Sequence, residues 1–278
     1  MTGASTGIGA ASARELAHRG FHVLAGVRRV RDVGTLRDPG IEPVILDITQ
    51  PGHIAELAAR VGSRAGKLRA LVNNAAISVN APVEALPLEE WRRLFEVNLF
   101  GHVAVTQALL PTLLRHSGRV INISSVGGKI AMPTFGPYAG TKFALEAVSD
   151  ALRRELAPQG VQVVVVEPGG IRTEMADRGI ATTSRLAERM PPQQRDRYGA
   201  LVQAVMSLTA AGTTGGRSAE DAARVIAKAV TAGKPRTRYT VGRDAALLTR
   251  LSRILPDRML DRIAAAVLRP HYPKTTAA

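Results

Sequence analysis

Met1-Thr2-Gly3-Ala4-Ser5-Thr6-Gly7-Ile8-Gly9 places three glycines within one short stretch. Glycine lets a backbone turn sharply and approach a ligand closely. Small and apolar residues over 10–19 then read as a helix. The unpaired N–H groups at the start of such a helix attract a pyrophosphate, and Ser5 and Thr6 add hydroxyl donors. A loop of this kind normally follows a buried strand. No strand precedes it here, so the expectation is a sheet lacking its first strand, with the true start of the chain upstream. That strand would lie between those at 21–27 and 68–72. Its loss would open a gap of about 9 to 10 Å, two strand spacings, and leave N–H and C=O groups unpaired at about 1 to 3 kcal/mol each.

Beyond the loop, strands and helices alternate. Apolar strands are expected over 21–27, 43–46, 68–72, 119–123 and 161–166, with helices over 54–65, 89–114 and 138–157. Five of the six residues in the last strand are valine. This order implies right-handed crossovers and an α/β fold: a doubly wound parallel sheet, Rossmann-like, in three αβα layers with a C-terminal helical extension. Each strand ends in a polar or turn cluster: Asp47-Ile48, Asn73-Asn74, Ser124-Ser125 and Glu167-Pro168-Gly169. In an open parallel sheet those ends form the ligand crevice, so the clusters converge.

Residues 1–243 read as one dinucleotide-binding and catalytic domain. Within it, 174–217 is an irregular insertion, expected to be a mobile cover over the site. Ser218 N-caps a helix over 219–232, and 238–241 is a short strand. From 244 to 278 apolar residues alternate with arginines in an amphipathic extension broken by Pro256, with a frayed tail after Arg269.

At 278 residues, 45% of them hydrophobic, the chain can bury a substantial core. No run reaches the roughly 18 to 20 apolar residues of a membrane span. The absence of cysteine excludes disulfides and thiolate chemistry and is compatible with a cytoplasmic protein. The six histidines form no metal-ligand spacing, so no metal is expected. The net charge of +14 raises the question of nucleic acid. The arginines are spread without aromatic interleaving or a DNA-binding motif, which argues against it.

Tyr138 and Lys142 lie four apart on a predicted helix and share a face. A nearby ammonium stabilises a phenolate and lowers the phenol pKa, so Tyr138 can serve as acid or base toward a carbonyl or alcohol. Ser125, at the neighbouring strand end, can hydrogen-bond the substrate oxygen. Asn98 lies inside the preceding helix, where its amide could hold a water linking Lys142 to solvent.

These residues resemble the short-chain dehydrogenase/reductase family, of the type with a Tyr-x-x-x-Lys active site. Thr2-Gly3-Ala4-Ser5-Thr6-Gly7-Ile8-Gly9 is similar to its Thr-Gly-x-x-x-Gly-x-Gly loop. Asn73-Asn74-Ala75-Ala76 is similar to its Asn-Asn-Ala-Gly element, with alanine for the last glycine. Ser125, Tyr138 and Lys142 stand at the family's spacings of thirteen and four. Asn98 matches its fourth catalytic position. Pro168-Gly169-Gly170-Ile171-Arg172-Thr173 matches its Pro-Gly turn and the threonine at the nicotinamide carboxamide. The resemblance implies that Tyr138 is the acid/base, that Lys142 binds the nicotinamide ribose and tunes Tyr138, that Ser125 orients substrate, and that Asn98 supports a proton relay. It also places Asp47 and Ile48 beside the adenine and Asn74 along the cofactor, with the Ala75-Ala76 element.

An NAD enzyme carries an acidic residue about 20 residues past the loop, at the second strand's end. Val27-Arg28-Arg29 stands there instead, and Arg28 can pair with a 2′-phosphate. NADP(H) is therefore favoured over NAD(H). Residues 125–133 and 138–146 look similar to the branch acting on steroids, retinoids and other lipophilic alcohols or ketones, so the expected partner is a small hydrophobic carbonyl or alcohol. The resemblance also implies a homo-dimer or homo-tetramer through the two long helices. The basic C-terminal helices admit two readings, packing on the protein or peripheral contact with an anionic membrane. The alternative function is a non-catalytic dinucleotide-binding redox sensor or scaffold on the same fold.

Overall fold

The computed structural model describes residues 1–64 and 66–273. Ala65, the expected end of the second helix, and 274–278 of the tail lie outside the described residues. Six parallel strands form the sheet: β1 (Val23–Val27), β2 (Ile41–Ile45), β3 (Ala70–Asn73), β4 (Arg119–Ile123), β5 (Gln162–Pro168) and β6 (Arg238–Val241). β1 pairs with β2, and β3, β4, β5 and β6 pair in that order. The ladder is thus in two parts. Residues 1–4 lace them together where the sequence places a further strand. Met1 N donates to Leu24 O at 2.6 Å and Met1 O accepts from Gly26 N at 2.8 Å. Ala4 N donates to Gly26 O at 2.8 Å, while Thr2 N turns to the other side and donates to Val72 O at 2.9 Å.

Helices cover both faces. α1 (Gly7–His18) and α8 (Ala219–Thr231) pack on one face, where Leu16 and Ile226 meet Val164 and Val166. α2 (Pro51–Gly62) and α4 (Gly101–His116) cover the other, where Leu57 and Leu109 meet Val120 and Val163. The valine run of β5 serves both cores because successive strand residues point to opposite faces. Ser218 caps α8 as expected: Asp221 N donates to Ser218 Oγ at 3.1 Å, and Ser218 N donates back to the Asp221 carboxylate at 3.3 Å.

The long helix expected over 89–114 is α3 (Leu88–Phe95), a wider π-helical turn over Glu96–Phe100, and α4. By length and composition Leu88–His116 could span a bilayer, contrary to the sequence expectation that no segment does, yet half of its most apolar window is buried inside the fold. α5 (Gly136–Leu156) follows β4. The insertion is not irregular: it forms α6 (Glu174–Glu188) and α7 (Pro192–Thr214), which pack together. In the extension, α9 (Arg243–Leu251) contacts β6 and α10 (Asp257–Leu268) contacts α7, with Leu268 buried against Ala204 and Val205.

Thr2 is the knot of the lacing. Its hydroxyl accepts from Asn74 N at 2.9 Å and Ala75 N at 3.0 Å. Thr2→Val keeps the shape and orphans both N–H groups, so the unfolding free energy is expected to fall by about 2 to 4 kcal/mol in urea titration.

Candidate active site

The glycine loop joins residues 1–4 to α1 in a shape that only glycine permits. Gly3 and Gly7 have φ of 63° and 54°, the left-handed region. A Cβ on Gly3 would lie 2.6 Å from Ala75 Cα, and one on Gly9 would lie 2.1 Å from Gly3 O. Asn74 closes the cradle by donating its amide to Thr2 O at 3.1 Å and Gly3 O at 2.9 Å. Thr6 stands at the N-cap of α1, but its hydroxyl makes no capping bond and accepts instead from Arg178 Nη2 at 3.1 Å. The first N–H groups of α1 therefore face the cleft, and a narrow loop with no room for a Cβ fits a diphosphate.

The loop opens into a cleft of about 1330 Å³. Gly3, Ser5, Thr6, Gly7, Ile8 and Gly9 line its phosphate end. Arg28, Asp47, Ile48, Asn74, Ala75 and Ala76 line the strand-end flank, and Ser125, Tyr138, Lys142, Pro168, Gly169, Ile171 and Thr173 complete it. Arg28 and Arg29 are exposed at the end of β1. Asp47 uses one carboxylate oxygen locally, accepting from Thr49 N at 3.0 Å and Thr49 Oγ1 at 2.8 Å.

Asn98 does not line the cleft. It is buried in the π-helical turn. Its amide donates to Ile77 O at 2.9 Å and Thr141 Oγ1 at 3.1 Å, and its carbonyl accepts from Ile77 N at 2.9 Å. Both amide protons are spent on protein, so the side-chain amide has none to donate to the expected water. What it does is hold Ile77, in the segment after β3, to Thr141 of α5. π-Turns are frequent at functional sites, where they re-aim side chains.

Ser125 Oγ accepts from Gly127 N at 3.0 Å and starts the turn after β4. Tyr138 and Lys142, on α5, are 8% and 1% exposed. Lys142 Nζ donates to Ile123 O at 2.9 Å and lies 5.8 Å from the Tyr138 ring centroid. Burial pushes the Tyr138 phenol up to about 12, with a hydrogen bond to Ser125 acting the other way. Burial also pushes Lys142 down to about 8, partly restored by the charge of Glu146. This reverses the sequence expectation of a lowered phenol. Desolvation of the phenolate outweighs an ammonium that sits over the ring and bonds elsewhere.

Three contributors are not among the site residues expected from the sequence. Thr2 ties the loop to β3. His102, one turn past Asn98, donates its Nε2 proton to Ala75 O at 2.7 Å, and burial, then the Lys142 charge, pushes it down to about 3, so the ring is neutral. Its spacing of four from Asn98 was the available signal. The third is the apolar half of the cleft, lined by Val79, Ile130, Phe135, Ile180, Leu186 and Val205. The insertion is anchored there by Thr183 Oγ1, which donates to Asn80 O at 2.9 Å.

Residues 1–184 match the family described as short chain dehydrogenase. Retinol dehydrogenase 5 of Mus musculus is 36% identical, over 96% of this chain and 87% of its own. The uncharacterized oxidoreductase YbbO of Escherichia coli strain K12 is also 36% identical, over 95% and 92%. A crystal structure of a short chain dehydrogenase from Burkholderia cenocepacia J2315 in complex with NADP superposes with a TM-score of 0.71 at 28% identity, covering 94% of each chain.

The buried Lys142 leaves a signature in stability. Its folded pKa of about 8 lies below the ordinary 10.5. Between the two the unfolded chain binds more protons, so stability rises with pH through this window, by about 3 kcal/mol at most. Lys142→Met is expected to lack that rise when urea unfolding is compared at pH 7 and pH 10.

Proposed function

The chain belongs to the short-chain dehydrogenase/reductase family and is an oxidoreductase, and from that premise we propose that it reduces a lipophilic ketone or aldehyde, or oxidises the matching alcohol, with NADP(H). The observation that carries this reading is the convergence of Ser125, Tyr138 and Lys142 on the cleft that holds the glycine cradle. Bound there, the dinucleotide supplies or takes up a hydride at the substrate carbon. Gly3, Ser5, Thr6, Gly7, Ile8 and Gly9 would hold its diphosphate. Asp47 and Ile48 would flank the adenine, and Asn74, Ala75 and Ala76 the length of the molecule. Pro168, Gly169, Ile171 and Thr173 would face the nicotinamide end.

A phenol raised by burial is protonated at neutral pH, so Tyr138 is ready to donate its proton to the carbonyl oxygen as that oxygen gains negative charge. Ser125 donates a hydrogen bond to the same oxygen. Lys142 binds ribose hydroxyls and, as an ammonium, steadies the phenolate left behind. Asn98 is a positioning residue through Ile77 and Thr141.

Arg28 and Arg29 support NADP(H): they line or border the cleft at the end of β1, where a carboxylate would select NAD(H). The apolar half of the cleft supports a hydrophobic substrate. Exposed Phe100, Leu114, Phe143 and Val148 on the π-turn, α4 and α5 support a homo-dimer or homo-tetramer. In the extension Ile254 is 77% exposed, and Leu247 and Met259 are exposed beside arginines. That face supports peripheral contact of a cytoplasmic protein with an anionic membrane. A sensor or scaffold would need the cradle but not the buried acid, which favours the enzyme.

Tyr138→Phe is expected to abolish NADPH oxidation at 340 nm with a panel of hydrophobic ketones while NADPH still binds in calorimetry. Retained turnover would overturn the acid role. Arg28→Asp is expected to lower the NADPH-to-NADH preference in kcat/KM by about tenfold or more, the loss of one charge-assisted pair of roughly 1.5 to 3 kcal/mol.

A further inference from the structure

The loop after Ser125, helix α5 and the turn at Pro168 and Gly169 each present residues to the cleft. Each also sends a charged side chain backwards into one buried cluster. Lys129 Nζ lies 2.7 Å from Glu146 Oε2 and 3.7 Å from Glu167 Oε1. Arg238, on β6, lies 3.0 Å from Glu146 Oε2, 3.3 Å from Glu167 Oε1 and 2.9 Å from Asp150 Oδ1. Glu146 and Glu167 are 4% and 2% exposed. Glu146 stands one helical turn after Lys142, and Glu167 directly precedes Pro168.

Buried ion clusters rarely stabilise a fold more than apolar packing of the same volume. Space has nonetheless been made for this one. A Cβ on Gly128 would fall 2.7 Å from Ser124 Oγ and 3.1 Å from Glu146 Cγ, so only glycine lets the carboxylate approach the loop.

We propose that Glu146 is a positioning residue of the active site. With Lys129, Glu167 and Arg238 it forms, one helical turn from Lys142, an ionic clasp that registers the Ser125 loop, the Tyr138 and Lys142 helix and the Pro168 turn. The proposal rests on the oxidoreductase reading of the cleft.

Lys142 faces Tyr138 and Glu146 on its own helix, the neutral His102 from α4, and the carbonyl of Ile123 from β4. Glu146 is the charged group that favours its protonated form. Around the clasp stand Asp150 with Arg153 on α5, Lys129 from the loop, Arg238 from β6 and, toward Glu167, Arg253 after α9. Burial and then the charge of Glu146 push the Glu167 carboxyl up, with Lys129, Arg238 and Arg253 opposing.

Two readouts test this. The first is the pH at which urea-unfolding stability begins its Lys142-dependent rise, measured against Lys142→Met, and it needs no cofactor. The second is the alkaline limb of NADPH affinity, measured by calorimetry from pH 6 to 9.5. In Glu146→Gln, which keeps an oxygen for Lys129, both are expected to move down by about one pH unit. NADPH binding near pH 8 should then weaken by several-fold to about tenfold. Glu167→Gln should leave both in place, and Glu146→Asp, which keeps the charge, should restore most of the shift. If Glu146→Gln only lowers the thermal midpoint and leaves both limbs unmoved, Glu146 is structural and the proposal is overturned while the oxidoreductase reading stands. A wild-type chain that binds no NADPH at any pH overturns that reading and the proposal with it.

Discussion

Beside the backbone bonds of residues 1–4, one hydroxyl and one amide pin the glycine loop to the end of β3. Thr2 Oγ1 takes the N–H groups of Asn74 and Ala75, while the Asn74 amide reaches back to the carbonyls of Thr2 and Gly3. Four hydrogen bonds between two short segments fix where α1 begins relative to the end of β3. The rest of the cleft inherits that placement. With the loop pinned, Gly3 packs on Ala75 and Gly9 on Gly3 with no space for a methyl group. His102 grips Ala75 O from the helix side, and Asn98 grips Ile77 from the π-turn. The stretch from Asn74 to Ile77 is thus bonded from three elements. A cradle this constrained costs little reorganisation when an anion arrives.

Burial sets the titration of the Tyr138 and Lys142 pair more than proximity does. In water a lysine near a tyrosine lowers the phenol pKa; inside this cleft the phenol rises and the lysine falls. Desolvation acts on each group separately and disfavours whichever form is charged. The ammonium is directed at Ile123 O and not at the phenol oxygen, so the two charges help each other weakly. The resting state is then a neutral phenol beside a lysine close to its own titration point. Preorganised dipoles and charges in such a site need not be rearranged as charge develops on a substrate oxygen.

The alternation of strands and helices, the converging strand ends, the Ser218 cap and the face shared by Tyr138 and Lys142 were all legible in the sequence. They follow from local periodicity and from the rule that polar residues gather at strand ends. The π-turn was not legible, because one extra residue in a helical turn leaves no trace in a period read over many residues. Its marker was Asn98, a polar residue in an apolar helix, whose partners Ile77 and Thr141 are far away in sequence. The helices α6 and α7 were hidden for a related reason. α7 carries no one-sided apolar stripe, since it meets α6 on one side and α10 on another. The sign of the Tyr138 shift also escaped, because burial is a property of the folded whole.

The cleft is built in two halves under different constraints. The half with the glycine loop, Ser125, Tyr138 and Lys142 rests on strand ends, where parallel ladders and buried side-chain bonds fix each atom. The apolar half is completed by Ile180 and Leu186 of α6 and Val205 of α7, elements outside the sheet, held at one point by Thr183 to Asn80 and at another by Arg178 to Thr6. Changes of side chain on the helical half alter the shape of an apolar wall at small cost to the sheet. Changes on the strand-end half leave buried N–H groups or charges without partners. The architecture therefore separates the part of the cleft that must stay fixed from the part free to vary. The Arg178 to Thr6 hydrogen bond joins the two halves at the mouth of the glycine loop.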